Sequence, residues 1–110
     1  MADVATISIA RDFSPFPAGR KRGDGPFTGE TFREDVLRPK LAGGQHVILD
    51  IDGVEGLPSS FLEEVFGGLI RLGWTTDNLK NAVEFRHTDP DLEVYPPLAW
   101  RFAEAAASVH

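Results

Sequence analysis

The feature that most constrains the fold is a nearly continuous apolar run, Val47-Ile48-Leu49-Asp50-Ile51, near the middle of the chain. An unbroken run of aliphatic residues is typical of a central strand in a parallel sheet that is covered on both faces. Segments with helical periodicity lie before and after this run. A chain that places helices around such a strand is expected to adopt an α/β fold.

The remaining segments continue this alternation and predict the order β-α-β-α-β-α. Two further strands are indicated at residues 4–9 and 83–87, where apolar and polar residues alternate. Helices are predicted from Thr28, from Ser59 or Ser60, and from Pro97, and Pro39 should kink or end the first of them. The expected architecture is one mixed, mostly parallel sheet in a single layer with helices packed against it. An antiparallel or hairpin pairing of the first strand remains an alternative.

The second predicted helix has the clearest start signal and an unusual interior. Ser60 and Glu63 have the spacing of a capping box, in which each side chain bonds to a backbone N–H of the other residue. Gly67 and Gly68 lie inside the helix, where each glycine costs about 1 kcal/mol relative to alanine. Close packing against the backbone of a neighbouring segment would explain this pair of glycines.

Composition excludes several classes of function. The 110 residues are the length of a single domain, and they include no cysteine, which rules out disulfides and thiolate zinc sites. His46, His87 and His110 lack the spacing of metal ligands, so neither a structural metal nor a cofactor is expected. No apolar stretch is long enough to span a membrane, and no leader segment is evident, so a cytoplasmic location is expected.

The charge is unevenly distributed along the chain. Residues 46–110 contain 11 acidic and 4 basic residues, whereas residues 1–45 contain 6 and 7. Such an acidic surplus makes nucleic acid an unfavourable partner. The basic cluster at residues 20–22 lies between glycines and is predicted to be a solvated loop.

One motif suggests an enzyme. Asp50-Ile51-Asp52-Gly53-Val54 resembles the first motif of haloacid dehalogenase-like phosphatases. That resemblance implies a magnesium-dependent phosphohydrolase in which Asp50 attacks phosphorus and Asp52 acts as acid and base. Only 58 residues follow Asp52, however, and they offer only a lone Lys80 and the turn-forming acidic residues of the segment 89–91. The phosphohydrolase is therefore kept as an alternative.

A second resemblance covers more of the chain. The strand and helix at residues 47–69, together with Arg20 and the group Gly29, Phe32, Arg33 and Glu34, resemble the STAS-like domain family of unknown function. They are similar, more distantly, to the anti-sigma-factor antagonists. The resemblance implies a STAS-like fold and a non-enzymatic, protein-binding regulatory module. It also implies a protein partner, for which a histidine-kinase-like ATPase or another regulator is a candidate.

The same resemblance assigns a role to the start of the second helix. In the antagonists, a partner kinase phosphorylates a serine at this place, and the corresponding residue here is Ser60. The alternative interpretation is that Ser60 only caps the helix. We predict that a partner docks on an acidic surface around this helix start, formed by Asp52, Glu55, Ser59, Ser60, Glu63 and Glu64. A homodimer formed through the last helix, around Trp100, is a third alternative.

Overall fold

The computed structural model describes residues 3–109 and contains one sheet of three parallel strands. The strands are β1 (Val4–Ser8), β2 (His46–Asp50) and β3 (Val83–Arg86), with β2 in the centre. All three predicted strands are confirmed to within one residue at each end. β1 pairs parallel with β2, so the sheet is wholly parallel and not mixed. The expected α/β architecture, a single sheet with helices packed against it, is confirmed.

Only one face of this sheet is well covered by the described residues. The register aligns Ile7, Leu49 and Phe85 on the covered face, where the first two are buried and Phe85 is half-buried. On the other face Thr6 and Glu84 flank Ile48, and both are exposed. The prediction that the central strand is covered on both faces was therefore wrong. Ile48 makes the apolar run continuous, but it is half-buried and does not belong to the core.

Four helices account for most of the remaining chain. They are α1 (residues 29–42), α2 (residues 59–71), α3 (Thr76–Ala82) and α4 (Tyr95–Ala107). The middle parts of α1 and α2, Phe32–Leu37 and Glu63–Gly67, have the wider hydrogen bonding of a π-helix. Short helical turns occur at Ile9–Phe13, Arg22–Asp24 and Pro90–Leu92.

Helix α1 begins where the sequence predicts but continues past Pro39. Thr28 is its N-cap, and the Thr28 hydroxyl accepts a hydrogen bond from the Thr31 N–H at 3.2 Å. Just before Pro39, the Arg38 N–H donates to the Arg33 carbonyl five residues back. In a regular α-helix the proline ring would clash with the carbonyl four residues earlier, and the wider turn changes the position of that carbonyl. The helix therefore ends only at Ala42, followed by Gly43 and Gly44.

The last two helices differ from the prediction. α3 was not predicted, because its seven residues are too few to show a helical period. α4 begins at Tyr95 and so contains both prolines in its first turn. Its buried residues are Ala99, Ala103 and Ala106. Small side chains let this helix approach its neighbours closely, and they give a weaker apolar signal than the larger residues beside them.

The core joins every helix to the covered face of the sheet. Two groups of aromatic rings mark its ends. Phe13, Phe32 and Phe61 connect the segment after β1 to α1 and α2, and Phe66, Phe85 and Trp100 connect α2 to β3 and α4. Trp74 and Trp100 are both half-buried against this core. Helix α2 therefore lies at the centre of the packing, and its start is held firmly.

Candidate functional site

The chain leaves β2 at the carboxyl edge of the sheet through residues 51–58. The Asp50 carboxylate accepts a hydrogen bond from the Asp52 N–H at 2.9 Å and closes a tight turn. Gly53 follows with a φ of +93°, a left-handed conformation that glycine adopts without steric cost. Three apolar side chains of this segment are buried: Ile51, Val54 and Leu57. The loop is therefore anchored from beneath, and its polar residues lie on its outer side.

Asp52 attaches this loop to the one that follows β3. Its carboxylate accepts hydrogen bonds from the Thr88 N–H and hydroxyl, each at 2.9 Å, and from the Asp89 N–H at 3.2 Å. The bond from the Thr88 N–H, followed by that from Asp89, holds the pKa of Asp52 below its usual 3.8. A carboxylate that stays ionised and already accepts several bonds is poorly suited to serve as a general acid.

The phosphohydrolase alternative finds no assembled site in the part of the chain that the structure describes. Asp50 and Asp52 are both used in turn and loop bonds, and Lys80 lies 3.3 Å from the Glu104 carboxylate. The Asp89 carboxylate accepts from the Asp91 N–H and so closes a turn of its own. Among residues 3–109, no three His, Asp or Glu side chains form a group that could hold a metal ion.

Helix α2 begins at Ser59, as predicted, but without the predicted capping box. Pro58 is the N-cap residue, and no side-chain hydrogen bond caps this end of the helix. Glu63 instead accepts a bond from Arg71 at 2.7 Å. Within residues 3–109, the hydroxyls of Ser59 and Ser60 have no hydrogen-bond partner; Ser59 is exposed and Ser60 is partly exposed. Both hydroxyls are therefore accessible at the helix start, and the interpretation of Ser60 as the cap was wrong.

The basic cluster at residues 20–22 is exposed, as predicted for a solvated loop, but each of its side chains also pairs with a carboxylate of a helix. Arg20 is 2.5 Å from the Glu63 carboxylate, and Lys21 is 3.3 Å from that of Glu64. Arg22 binds Asp35 of α1 through two bonds of 2.8 and 2.9 Å. Because Arg71 and Arg20 both donate to Glu63, the pKa of this carboxyl lies below its usual 4.5. Glu63 is thus neutralised locally and contributes little to an acidic docking surface.

Glu64 does not lie on the surface at all. Its side chain is buried, and Arg33 of α1 donates to its carboxylate and to its backbone carbonyl, each at 2.7 Å. The prediction of Glu64 as a docking residue was based on its charge, but a charge can be buried when an opposite charge pairs with it closely. Gly68 is part of this arrangement, because a Cβ there would overlap the Arg33 guanidinium. The close backbone packing expected at Gly67 and Gly68 is not found. The nearest atoms at Gly68 belong to the Arg33 side chain, and those at Gly67 belong to the side chains of Glu63 and Arg71 in the same helix.

A groove lies between the loop after β2 and the loop after β1. Residues 16–18 and residues 55–58 line it together with Tyr95 of α4, and its volume is about 420 Å³. The Glu55 N–H donates to the Pro15 carbonyl at 2.8 Å and ties the two loops together. Phe16 has 66% of its surface exposed. We call this feature the Phe16 groove.

The predicted site is therefore divided by the structure. Asp52, Glu55, Ser59 and Ser60 lie on one continuous segment at the helix start, whereas Glu63 and Glu64 belong to the ion pairs with the basic cluster. Phe16 and Tyr95 were not predicted. The only available signal was a large aromatic residue between two prolines, in a loop with no periodic pattern to bury it.

Comparison with known protein families finds one family model that matches more than half of the chain. The family model described as a STAS-like domain of unknown function (DUF4325) matches residues 28–93. The match begins at the Thr28 cap and includes α1, β2, α2, α3 and β3. Comparisons with curated proteins and with solved structures find no match. None of the described helices is long and apolar enough to cross a membrane.

Proposed function

The chain belongs to the family of STAS-like domains of unknown function, and from this membership and the geometry at the start of α2 we propose that it is a non-enzymatic, protein-binding regulatory module. The observation that carries the proposal is the pair of accessible hydroxyls at Ser59 and Ser60, which the helix does not use as caps. They adjoin the outer side of the anchored loop at residues 51–58. A firmly held surface with accessible polar groups is suited to recognition by another protein.

In this proposal, modification of Ser60 controls the docking of the partner. A phosphate at Ser60 adds a charge of about −1.5 to −2 at the first turn of α2, where the backbone N–H groups favour an anion. Glu63 lies three residues later, on the same side of the helix. The added charge therefore alters a surface that already contains Asp52 and Glu55. A partner that fits the unmodified surface would be released.

The proposed partner is a protein, because the acidic surplus of residues 46–110 disfavours nucleic acid. A histidine-kinase-like ATPase is the partner that the resemblance implies. Such an enzyme would both bind the surface and phosphorylate Ser60. This assignment depends on the family likeness, and the partly exposed Ser60 is compatible with it.

The test is affinity capture from cells of the source organism, using the wild-type chain, Ser60→Ala and Ser60→Asp. We expect the wild type and Ser60→Ala to retain a common partner, which Ser60→Asp loses. Ser108→Asp is the matched control, because Ser108 is an exposed serine at the far end of α4. If no specific partner is captured, or if Ser60→Asp retains it as well as the wild type, the proposal is wrong.

An assay on purified protein distinguishes the enzymatic alternative. The wild type is incubated with a generic phosphate ester and magnesium, beside the Asp50→Asn variant. The proposal predicts no turnover above a buffer blank for either protein. Magnesium-dependent hydrolysis that Asp50→Asn abolishes would replace the proposal with the phosphohydrolase.

A further inference from the structure

We propose that the Phe16 groove binds an extended, basic segment of the protein partner. One apolar side chain of that segment enters the groove, and lysine or arginine residues beside it meet an acidic rim. This inference depends on the proposed function, since it specifies the chemistry of a segment that docks beside Ser59 and Ser60. It moves the acidic part of the docking surface away from Glu63 and Glu64.

The walls of the groove are apolar and already in place. Phe16 forms part of one wall and also borders a smaller neighbouring hollow with Phe27, whose surface is 41% exposed. Ala18 donates from its N–H to the Phe27 carbonyl at 2.9 Å, and Glu55 donates to Pro15. Proline residues on both walls restrict the backbone further. A preformed groove with exposed aromatic rings offers binding energy at a small cost in conformational entropy.

We use the term rim for Glu55, the one acidic residue that lines the groove, and for the exposed acidic residues of an adjoining loop. Glu55 lines the groove itself. The loop that follows β3 adjoins it, because Thr88 near the start of that loop donates a hydrogen bond to Asp52, and Tyr95 at its end lines the groove. The exposed acidic residues of that loop are Asp89, Asp91 and Glu93. Among residues 3–109, none of these four carboxylates has an ion-pair partner within 4.0 Å.

The basic cluster does not neutralise this rim. The loop that contains Phe16 continues into the basic cluster, but Arg20, Lys21 and Arg22 each pair with a carboxylate of α1 or α2. The cluster is thus already paired, whereas, within the described residues, the carboxylates of the rim remain unpaired beside an apolar groove. A segment with positive charges on both sides of an apolar residue complements this pattern.

The dimensions of the groove favour a peptide segment over a small molecule. Its volume of about 420 Å³ lies within the usual range for small-ligand sites, but among the side chains that line it only Glu55 and Tyr95 have polar groups. Small-ligand sites fix their ligand with several converging polar groups, which this groove lacks. It is open on one side, so that a chain can cross it and place neighbouring residues on the rim.

The experiment is a selection of phage-displayed random peptides on the immobilised full chain. We expect the enriched peptides to share an apolar residue flanked by lysine or arginine. A synthetic peptide with the enriched consensus is then titrated against the wild type and three variants: Phe16→Ser, Glu55→Lys and Glu84→Lys. Glu84→Lys is the matched control, since it makes the same charge change on the open face of the sheet.

The expected results separate the apolar and the charged contributions. Phe16→Ser and Glu55→Lys should each weaken binding about tenfold or more, whereas Glu84→Lys should change it less than about twofold. Raising the salt concentration from about 0.05 M to about 0.5 M should also weaken binding, because it screens the rim charges. Phe16 and Glu55 are exposed, so both variants should unfold at the temperature of the wild type. If Phe16→Ser does not fold, the affinity of Glu55→Lys for the peptide still tests the inference.

Several outcomes would overturn the inference. They are a selection that enriches no peptides, or acidic or uncharged ones, and a loss of affinity in Glu84→Lys as large as that in Glu55→Lys. The partner captured from cells gives a separate check. If Ser60→Asp releases it but Phe16→Ser and Glu55→Lys do not, the groove inference fails and the proposed function stands.

Discussion

Arg33 and Glu64 are the two charged side chains that the described part of the chain buries, and they bind each other. Arg33 also donates to Glu34 at 2.8 Å, so the guanidinium has partners on both sides. Among residues 3–109, no buried side-chain nitrogen or oxygen lacks a hydrogen-bond partner. Removing one member of a buried pair typically costs about 3–5 kcal/mol, because the other charge is left unpaired. This pair fixes the position of α2 relative to α1.

Substitution of the two glycines of α2 by alanine should therefore have different effects on stability. Gly68→Ala places a methyl group against the confined Arg33 guanidinium and should lower the free energy of unfolding by about 2–3 kcal/mol. Gly67→Ala meets the end of the Glu63 side chain, which is partly exposed and can turn aside. The higher helix propensity of alanine, about 1 kcal/mol, offsets that shift. Urea unfolding measures both variants, and equal stabilities would contradict the role of Gly68.

At the scale of the elements, the starts of α1 and α2 are built in different ways. Thr28 is fully buried and caps α1 with its hydroxyl. The carbonyl of Phe27, just before it, accepts a hydrogen bond from the Ala18 N–H. At α2 the predicted cap is absent because Pro58, which has no polar side chain, occupies the N-cap position, and Glu63 binds Arg71 and Arg20 instead. The stability of this helix instead comes from its packing, since Phe61, Leu62, Val65 and Phe66 are all buried.

Replacement of the two hydroxyls tests this difference. Thr28→Ala should lower the free energy of unfolding by about 1–2 kcal/mol, because it removes a buried cap. Ser60→Ala should change it by less than about 0.5 kcal/mol, because its hydroxyl caps nothing. Thermal or urea unfolding of the two variants gives the comparison. If Ser60→Ala costs as much as Thr28→Ala, Ser60 is a cap after all.

Ion pairs connect the elements of the whole molecule. Seven of the 11 basic side chains have a carboxylate within 4.0 Å: Arg20, Lys21, Arg22, Arg33, Arg38, Arg71 and Lys80. Hydrogen bonds from arginines or from backbone N–H groups hold the pKa values of five carboxyls below their usual ones, namely Asp24, Glu34, Asp35, Asp52 and Glu63. These five carboxyls link the molecule's stability to pH.

The sign of this linkage predicts loss of stability in acid. A carboxyl whose pKa is lower in the folded state stabilises the fold fully above its unfolded pKa, and that contribution is lost as the pH falls through the folded pKa. The usual values here are 3.8 for Asp and 4.5 for Glu. The free energy of unfolding in urea should therefore fall below about pH 4.5. The free energy of unfolding of Glu63→Gln should fall less steeply with pH than that of the wild type. A wild type that gains stability in acid would contradict the prediction.

The sequence by itself determined the features that depend on neighbouring residues. The apolar run places β2, the alternation of apolar and polar residues places β1 and β3, and the pattern after Pro58 places the start of α2. The resemblance to STAS-like domains likewise depends on short motifs, chiefly the one around β2 and α2. Each of these signals lies within a few residues of the structure that it specifies, so local propensity and periodicity were sufficient.

The tertiary structure alone decided which charges remain free and where the groove lies. Arg20 and Glu63 are 43 positions apart, and Arg33 and Glu64 are 31 apart, so no local pattern links them. The same holds for the Phe16 groove, which three distant segments form together. Whether Ile48 faces a covered or an open side also depends on where the helices pack. A charge or an apolar side chain in the sequence specifies a preference for an environment, and only the packing of distant elements supplies that environment.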